Sequence, residues 1–243
     1  MATLSIQTSR EYALKTIMII GSSMTQKAFD TENWGFGIGL SDWYNRTADI
    51  IVRGQSGYNT RWTLLGFNKL LGNYKPDLFV FFLGNNDSTR IDCRYISIDE
   101  YEKNMIEMIR ISKTVNPHSK FILLTPTRAD NAGRSDELTF QYADVIRKIG
   151  ALDPDITVID FWYGDISIVK EDLCDGLHLG QSGNQKVLLG LKMAIRKYLP
   201  QFVPFSDEGN VNQELSLKWL FPRWNIFYNK SLDESCEIID SCR

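Results

Sequence analysis

The sequence predicts a three-layer α/β/α domain, doubly wound around a parallel sheet of five strands. Three observations carry this expectation. Five short runs rich in Val, Ile, Leu and Phe recur up to residue 160. They are continuous rather than alternating, as strands buried on both faces are. Segments with helical spacing, not two-residue turns, separate them, so the order strand–helix–strand calls for parallel pairing through right-handed crossovers.

The runs are "TIMII" (16–20), "DIIVR" (49–53), "LFVFFL" (78–83), "FILLT" (121–125) and "ITVID" (156–160). Between the second and third, "RWTLLGFNKLLGNYKP" (61–76) reads as a helix. Between the third and fourth, "SIDEYEKNMIEMIRISKTVNP" opens with a capping box from Ser97 to Glu100. It sets Tyr101, Met105, Met108 and Ile109 on one face and stops before Pro117. "ELTFQYADVIRKIGALDP" (137–154) repeats the pattern. "SGNQKVLLGLKMAIRKYLP" (182–200) carries a second box, Ser182 to Gln185. Helical spacing ends near Leu199, so residues 1–199 are expected to form the domain. Residues 200–243, with the aromatic stretch "LKWLFPRWNIFYN" (217–229), are expected to form an extension packed on the domain or on a partner subunit, the latter making a homodimer.

Composition narrows the class. A chain of 243 residues, 43% hydrophobic and 12% aromatic, can build one substantial core plus a tail. Lys and Arg number 27 against 30 Asp and Glu, without a run of five like charges, so no basic stripe is offered to nucleic acid. The longest apolar runs fall far short of the roughly 20 residues that span a bilayer, and Arg10, Glu11 and Lys15 precede any of them, which argues against a signal peptide or membrane anchor. Cys93, Cys174, Cys236 and Cys242 form no CxxC pair, and only His118 and His178 are available beside them. No zinc set is expected, and reduced thiols in the cytoplasm are.

In a doubly wound sheet, ligands bind beyond the carboxyl ends of the strands. After the first run come Gly21, Ser22, Ser23, Met24 and Thr25; after the second, "GQSGYNT"; after the third, "GNNDS"; and beyond the fifth, "DGLHL" with Asp175 and His178. One rim then collects a serine, glycine turns, an amide and an Asp/His pair, the components of acyl transfer. A serine hydroxyl needs a base, and neutral imidazole suits that task near neutral pH. His178 is the base. An aspartate three residues earlier can fold back to orient it, which is the role expected of Asp175. An oxyanion needs donors aimed at it, and the serine amide, the Gly57 N–H and the Asn86 side chain are the candidates. Spacing alone does not choose between the two serines.

These blocks resemble the SGNH or GDSL-type hydrolase family. "GSSMT" stands where that family has Gly-Asp-Ser-x-Thr, "RGQSGYNTRW" matches its second block, "GNNDS" its Gly-x-Asn-Asp block and "DGLHLGQSGN" its Asp-x-x-His block. The match runs from about residue 16 to 199. The wording "SGYNTRW", the pair Trp34-Gly35, "TPT" (125–127) and the "PRW" of the tail are similar to the isoamyl acetate-hydrolysing esterase branch. The resemblance implies a flavodoxin-like five-stranded sheet and a serine esterase without metal or organic cofactor. It implies Ser23, His178 and Asp175 as the triad, with Ser23 N–H, Gly57 N–H and Asn86 as the oxyanion hole. Small carboxylic esters, short-chain or acetate, are the implied substrates. Acetylated carbohydrates and lysophospholipids are the alternatives within the family, and a catalytically weak binding protein is the alternative outside it. Ser22 occupies the place of the usual family Asp, a departure that removes a negative charge from the turn.

Other residues receive plainer readings. Asp172, six residues before His178, is the alternative partner for it, though the motif favours Asp175. His118 is expected to be solvated, Asn85 to shape its turn and Asp87 to tie down a neighbouring loop. "GFGIG" (35–39) lacks the strand and the acid of a dinucleotide site and is expected to serve helix packing. Trp219, Phe221, Trp224 and Phe227 are expected in core or interface, and Cys236 and Cys242 as free thiols, with a bridge between them the alternative in an oxidising compartment.

Overall fold

A computed structural model describes residues 14–90, 93–129, 131, 133–204 and 207. Leu14–Phe202 form one compact unit. The expectations for the tail aromatics, for Cys236 and Cys242 and for a tail-mediated homodimer lie outside the described residues.

Five strands, β1 (Lys15–Gly21), β2 (Ala48–Gly54), β3 (Leu78–Phe82), β4 (Lys120–Leu124) and β5 (Ile156–Ile159), form one sheet in the order β2-β1-β3-β4-β5. Every pairing is parallel, as the strand–helix–strand order predicts. β1, β3 and β4 are inner strands and almost wholly buried, whereas β2, an edge strand, is only partly covered. The continuous apolar run therefore marks the centre of the sheet more faithfully than its edge.

The helices are α1 (Ser23–Gln26), α2 (Phe36–Trp43), α3 (Thr60–Leu65), α4 (Phe67–Leu71), α5 (Ile98–Val115), α6 (Asp136–Leu152) and α7 (Gln181–Tyr198). One sheet face presents Met18, Ile20, Phe79, Phe81, Phe121 and Leu123 to Phe67 and Leu71 of α4, Tyr101, Met105 and Met108 of α5, and Tyr142 and Ile146 of α6. Phe79 stacks at 5.9 Å on Phe81 and at 5.6 Å on Phe121, and Phe67 extends the stack to Phe81. Such a ladder dominates the core because each ring buries a large apolar area; truncating Phe81 to Ala would cost about 3–5 kcal/mol. α2 and α7 pack against each other, with α2 also against β2 and α7 against β5.

Two helix readings need correction. The single helix expected over 61–76 is two short ones, because Gly66 (φ −91°, ψ 1°) ends α3 and opens α4; glycine is the weakest non-proline helix former at an interior position. The capping box at Ser182–Gln185 does not form. α7 starts at Gln181 with Gly180 as N-cap and no side-chain cap bond, which places Ser182 inside the first turn. By contrast, Ser97 does cap α5, accepting from the Glu100 amide at 3.4 Å, and Ser135 caps α6 through the Leu138 amide at 3.2 Å. The "GFGIG" stretch lies at the start of α2, with Gly37 against Ala28 and Gly39 against Leu188 of α7, a packing role.

The strand register sets up the site. Gly21 at the end of β1 lies opposite Gly54 of β2 and Phe82 of β3, so three strands end flush and hand their loops to one rim.

Candidate active site

Ser23 is the first residue of α1, directly after the turn in which Gly21 ends β1 and Ser22 serves as N-cap. Both serines are buried, at 3% and 7% exposure. Only Ser23 reaches the histidine: its Oγ lies 2.9 Å from His178 Nε2. Ser22 makes no side-chain cap bond; its carbonyl accepts from the Gln26 amide at 2.9 Å.

The loop after β2 is fastened to this turn. Gln55 N–H donates to the Gly21 carbonyl at 2.9 Å, and Ser56 N–H donates to Gln26 Oε1 at 2.7 Å. Gly54 allows the approach, since a Cβ there would lie 2.0 Å from the Gln26 backbone nitrogen. Gly57 has φ +79°, a left-handed conformation that glycine adopts without strain. Further along, the Asn59 side chain accepts from Trp62 N–H at 2.9 Å and caps α3.

Asn86 and Asp87 follow β3. The Asn86 Nδ2 donates to the Tyr58 carbonyl at 2.8 Å, which joins the β2 and β3 loops. Asp87 is completely buried, and its Oδ1 accepts both the Thr60 N–H at 2.8 Å and the Thr60 hydroxyl at 2.5 Å. Burial pushes the Asp87 carboxyl up to about 6, against the pull of those two hydrogen bonds. It ties down the neighbouring loop. Asn85 likewise braces its turn, exchanging hydrogen bonds with Thr127 N–H and C=O at 3.2 and 2.9 Å.

Asp175 and His178 sit on a short hairpin closed by an antiparallel bridge between Leu173 and Leu179 and by Cys174 N–H donating to the His178 carbonyl at 2.9 Å. Asp175 Oδ2 lies 2.6 Å from His178 Nδ1, while Oδ1 accepts the amides of Leu177 at 3.0 Å and of His178 at 2.7 Å. Partial burial opposes ionisation of Asp175, but the hydrogen bonds from the His178 ring and from the two amides outweigh it and hold the carboxyl at about 2. An ionised carboxylate only accepts, so Nδ1 carries a proton toward Asp175, and the neutral form of the ring presents its Nε2 lone pair to the Ser23 hydroxyl. Such a chain can take a proton from serine.

Asp172 does not contact His178. Its carboxylate pairs with Lys186 at 2.6 Å and accepts from the Val169 amide at 2.9 Å. It is 4% exposed and supports the hairpin from behind, its own carbonyl taking the Gly180 N–H at 2.8 Å. His118 is exposed, as expected for a loop residue. Among the described residues no group of three His, Cys, Asp or Glu could hold a metal ion. No described helix is long and apolar enough to cross a membrane. A surface depression lined by Ile38, Asp42, Arg46 and Asp49 lies at the β2 edge and includes none of Ser23, Gly57, Asn86, Asp175 and His178.

Sequence reasoning missed Arg134. Its Nε donates to the Asn85 carbonyl at 2.8 Å and its Nη2 to Asn86 Oδ1 at 2.9 Å. It belongs to no motif block and stands in the polar loop just before the α6 N-cap, where nothing in the spacing signals a distant partner.

Comparison with known proteins agrees with this fold. Residues 19–186, more than half of the chain, match the model of the GDSL-like Lipase/Acylhydrolase family. The chain is 31% identical over 228 residues to isoamyl acetate-hydrolyzing esterase 1 homolog of Homo sapiens, covering 83% of this chain and 91% of that protein. It is 29% identical to a GDSL esterase/lipase of Arabidopsis thaliana, covering 78% and 89%. Among solved structures, the acetylxylan esterase Axe2 from Geobacillus stearothermophilus superposes with a TM-score of 0.62 at 18% identity, over 76% of this chain and 96% of that one, a likeness of fold. The chain therefore belongs to the GDSL-like lipase/acylhydrolase family and is a carboxylic ester hydrolase.

Proposed function

We propose that the chain hydrolyses small carboxylic esters, short-chain or acetate, through a Ser23–His178–Asp175 triad and an acyl-enzyme. The observation that carries this reading is the unbroken relay from Ser23 Oγ to His178 Nε2 at 2.9 Å and from His178 Nδ1 to Asp175 Oδ2 at 2.6 Å. As Ser23 Oγ bonds to the ester carbonyl carbon, its proton passes to Nε2 and the carbonyl oxygen becomes an oxyanion. The proposed donors are Ser23 N–H, Gly57 N–H and the second Asn86 N–H, the first being taken by Tyr58. The imidazolium then protonates the departing alkoxide. Water, deprotonated by the same Nε2, attacks the acyl group, and the proton returns to Ser23 as the acid leaves.

The assembled relay favours an enzyme over a binding protein despite Ser22 in place of the family Asp. The relatives named for isoamyl acetate support acetate esters of small alcohols as first substrates. The test is Ser23→Ala on p-nitrophenyl acetate, expected to lower turnover by about 10⁴–10⁶-fold, together with labelling by a fluorophosphonate at Ser23. Retained turnover or absent labelling overturns the assignment, and a panel of acetylated sugars and lysophospholipids separates the substrate classes. Exposed thiols at Cys93 and Cys174 suit the expected reducing, cytoplasmic setting. Light scattering of the chain with and without residues 200–243 tests the homodimer.

A further inference from the structure

We infer that Arg134 is a positioning residue that sets the direction of the Asn86 amide and thereby the strength of the oxyanion hole. The inference rests on the reading of Asn86 as an oxyanion donor. A side-chain amide can face two ways, with nearly the same shape and opposite hydrogen-bonding character. Asn86 is held from both sides. On one side stands the Arg134 guanidinium, which can only donate, with Nη2 2.9 Å from Oδ1. On the other stands the Tyr58 carbonyl, which can only accept, 2.8 Å from Nδ2. The reverse orientation would press NH2 hydrogens against a cation and an oxygen against an oxygen.

The guanidinium is itself clamped. Nε donates to the Asn85 carbonyl at 2.8 Å and Nη1 to Asn131 Oδ1 at 3.2 Å, while Asn131 Nδ2 donates to the Asp175 carbonyl at 3.3 Å. One planar fork thus spans the backbone of the β3 loop and the side chain it orients, and is linked through Asn131 to the hairpin bearing His178. A cation bound to the amide oxygen also polarises the amide, making its N–H a stronger donor to developing negative charge. The fork geometry belongs to arginine; a lysine ammonium would restore the charge without the paired directions.

The experiment compares Arg134→Ala, Arg134→Lys, Asn86→Ala and the double variant Arg134→Ala/Asn86→Ala, with kcat and KM on p-nitrophenyl acetate and melting curves for each. Arg134→Ala is expected to lower kcat about 10- to 100-fold, less than the roughly 10²–10³ for loss of the donor itself, with KM changed less than about threefold. Arg134→Lys recovers part of the loss, and added guanidinium ion raises kcat of Arg134→Ala but not of the double variant. In the Asn86→Ala background the Arg134→Ala step costs less than about threefold, because there is no amide left to orient. Losses that multiply, or a wild-type kcat in Arg134→Ala beside an impaired Asn86→Ala, overturn the inference and leave the oxyanion reading standing. A wild-type kcat in Asn86→Ala removes both. If Arg134→Ala melts too low to assay, the same cycle with Arg134→Lys decides between the outcomes.

Discussion

Asp175 grips His178 twice: one carboxylate oxygen lies 2.6 Å from the ring Nδ1, the other accepts the backbone N–H of the same residue at 2.7 Å. The ring and its own main chain are therefore referenced to one carboxylate, which sets both the tautomer and the direction of Nε2. Asp175→Asn is expected to lower kcat by about 10⁴-fold, as an amide offers the ring a donor where it needs an acceptor. The carboxyl, held at about 2, is ionised throughout the working range and adds no acid limb above about pH 3. Its contribution to stability is fully present above the ordinary carboxylate value of about 4 and is lost as pH falls through about 2. Acid melts of the wild type and of Asp175→Asn should converge below that point; curves still parallel there would contradict the assignment.

Ser22→Ala should change turnover less than about tenfold. The hydroxyl caps no amide of α1, and its backbone carbonyl, which receives the Gln26 N–H, survives the substitution. Steady-state kinetics beside Ser23→Ala measures the contrast, and comparable losses in the two variants would show that the pair acts together.

The glycines at the ends of the β2 loop should fail differently. At Gly57 an added Cβ meets nothing within 4 Å, so Gly57→Ala costs only the left-handed backbone, about 1–2 kcal/mol, and shifts the proposed oxyanion N–H. At Gly54 the Cβ would meet the backbone of Gln26, which cannot move without displacing the Ser23 helix. Urea titrations should show Gly54→Ala the more destabilised of the two. Equal midpoints would mean the β1–α1 turn yields more easily than its contacts imply.

Asp87 gives the opposite pH signature to Asp175. Its raised carboxyl holds a proton in the folded chain up to about 6, while the unfolded chain loses it near 4. Folded protein binds more protons in that window, so this group makes stability fall as pH rises from about 4 to about 6, with no further change above. Asp87→Asn keeps an oxygen for the Thr60 donors and removes the titration. The melting temperature of the variant relative to wild type should therefore rise between pH 4 and pH 7; a difference that stays constant with pH would refute the buried titration.

Much of the fold and of the site was legible in the chain because it depends on local order. Continuous apolar runs, helical spacing between them and punctuation at Ser97 imply a parallel sheet, and a parallel sheet brings the turns after β1, β2 and β3, with Ser23, Gly57 and Asn86, to one rim. The family motif favours Asp175 over Asp172, yet the contacts that separate them, His178 for one and Lys186 for the other, arise from the way the hairpin folds. The break at Gly66, the cap at Gly180 in place of Ser182 and the fork of Arg134 on Asn86, 48 residues away, were not legible. Each depends on which atoms meet after the sheet has formed. Spacing along the chain carries the periodicity of backbone hydrogen bonds and little about the partners of a single long side chain, so recurring blocks announce the chemistry of the rim and packing across the loops decides how its donors are aimed.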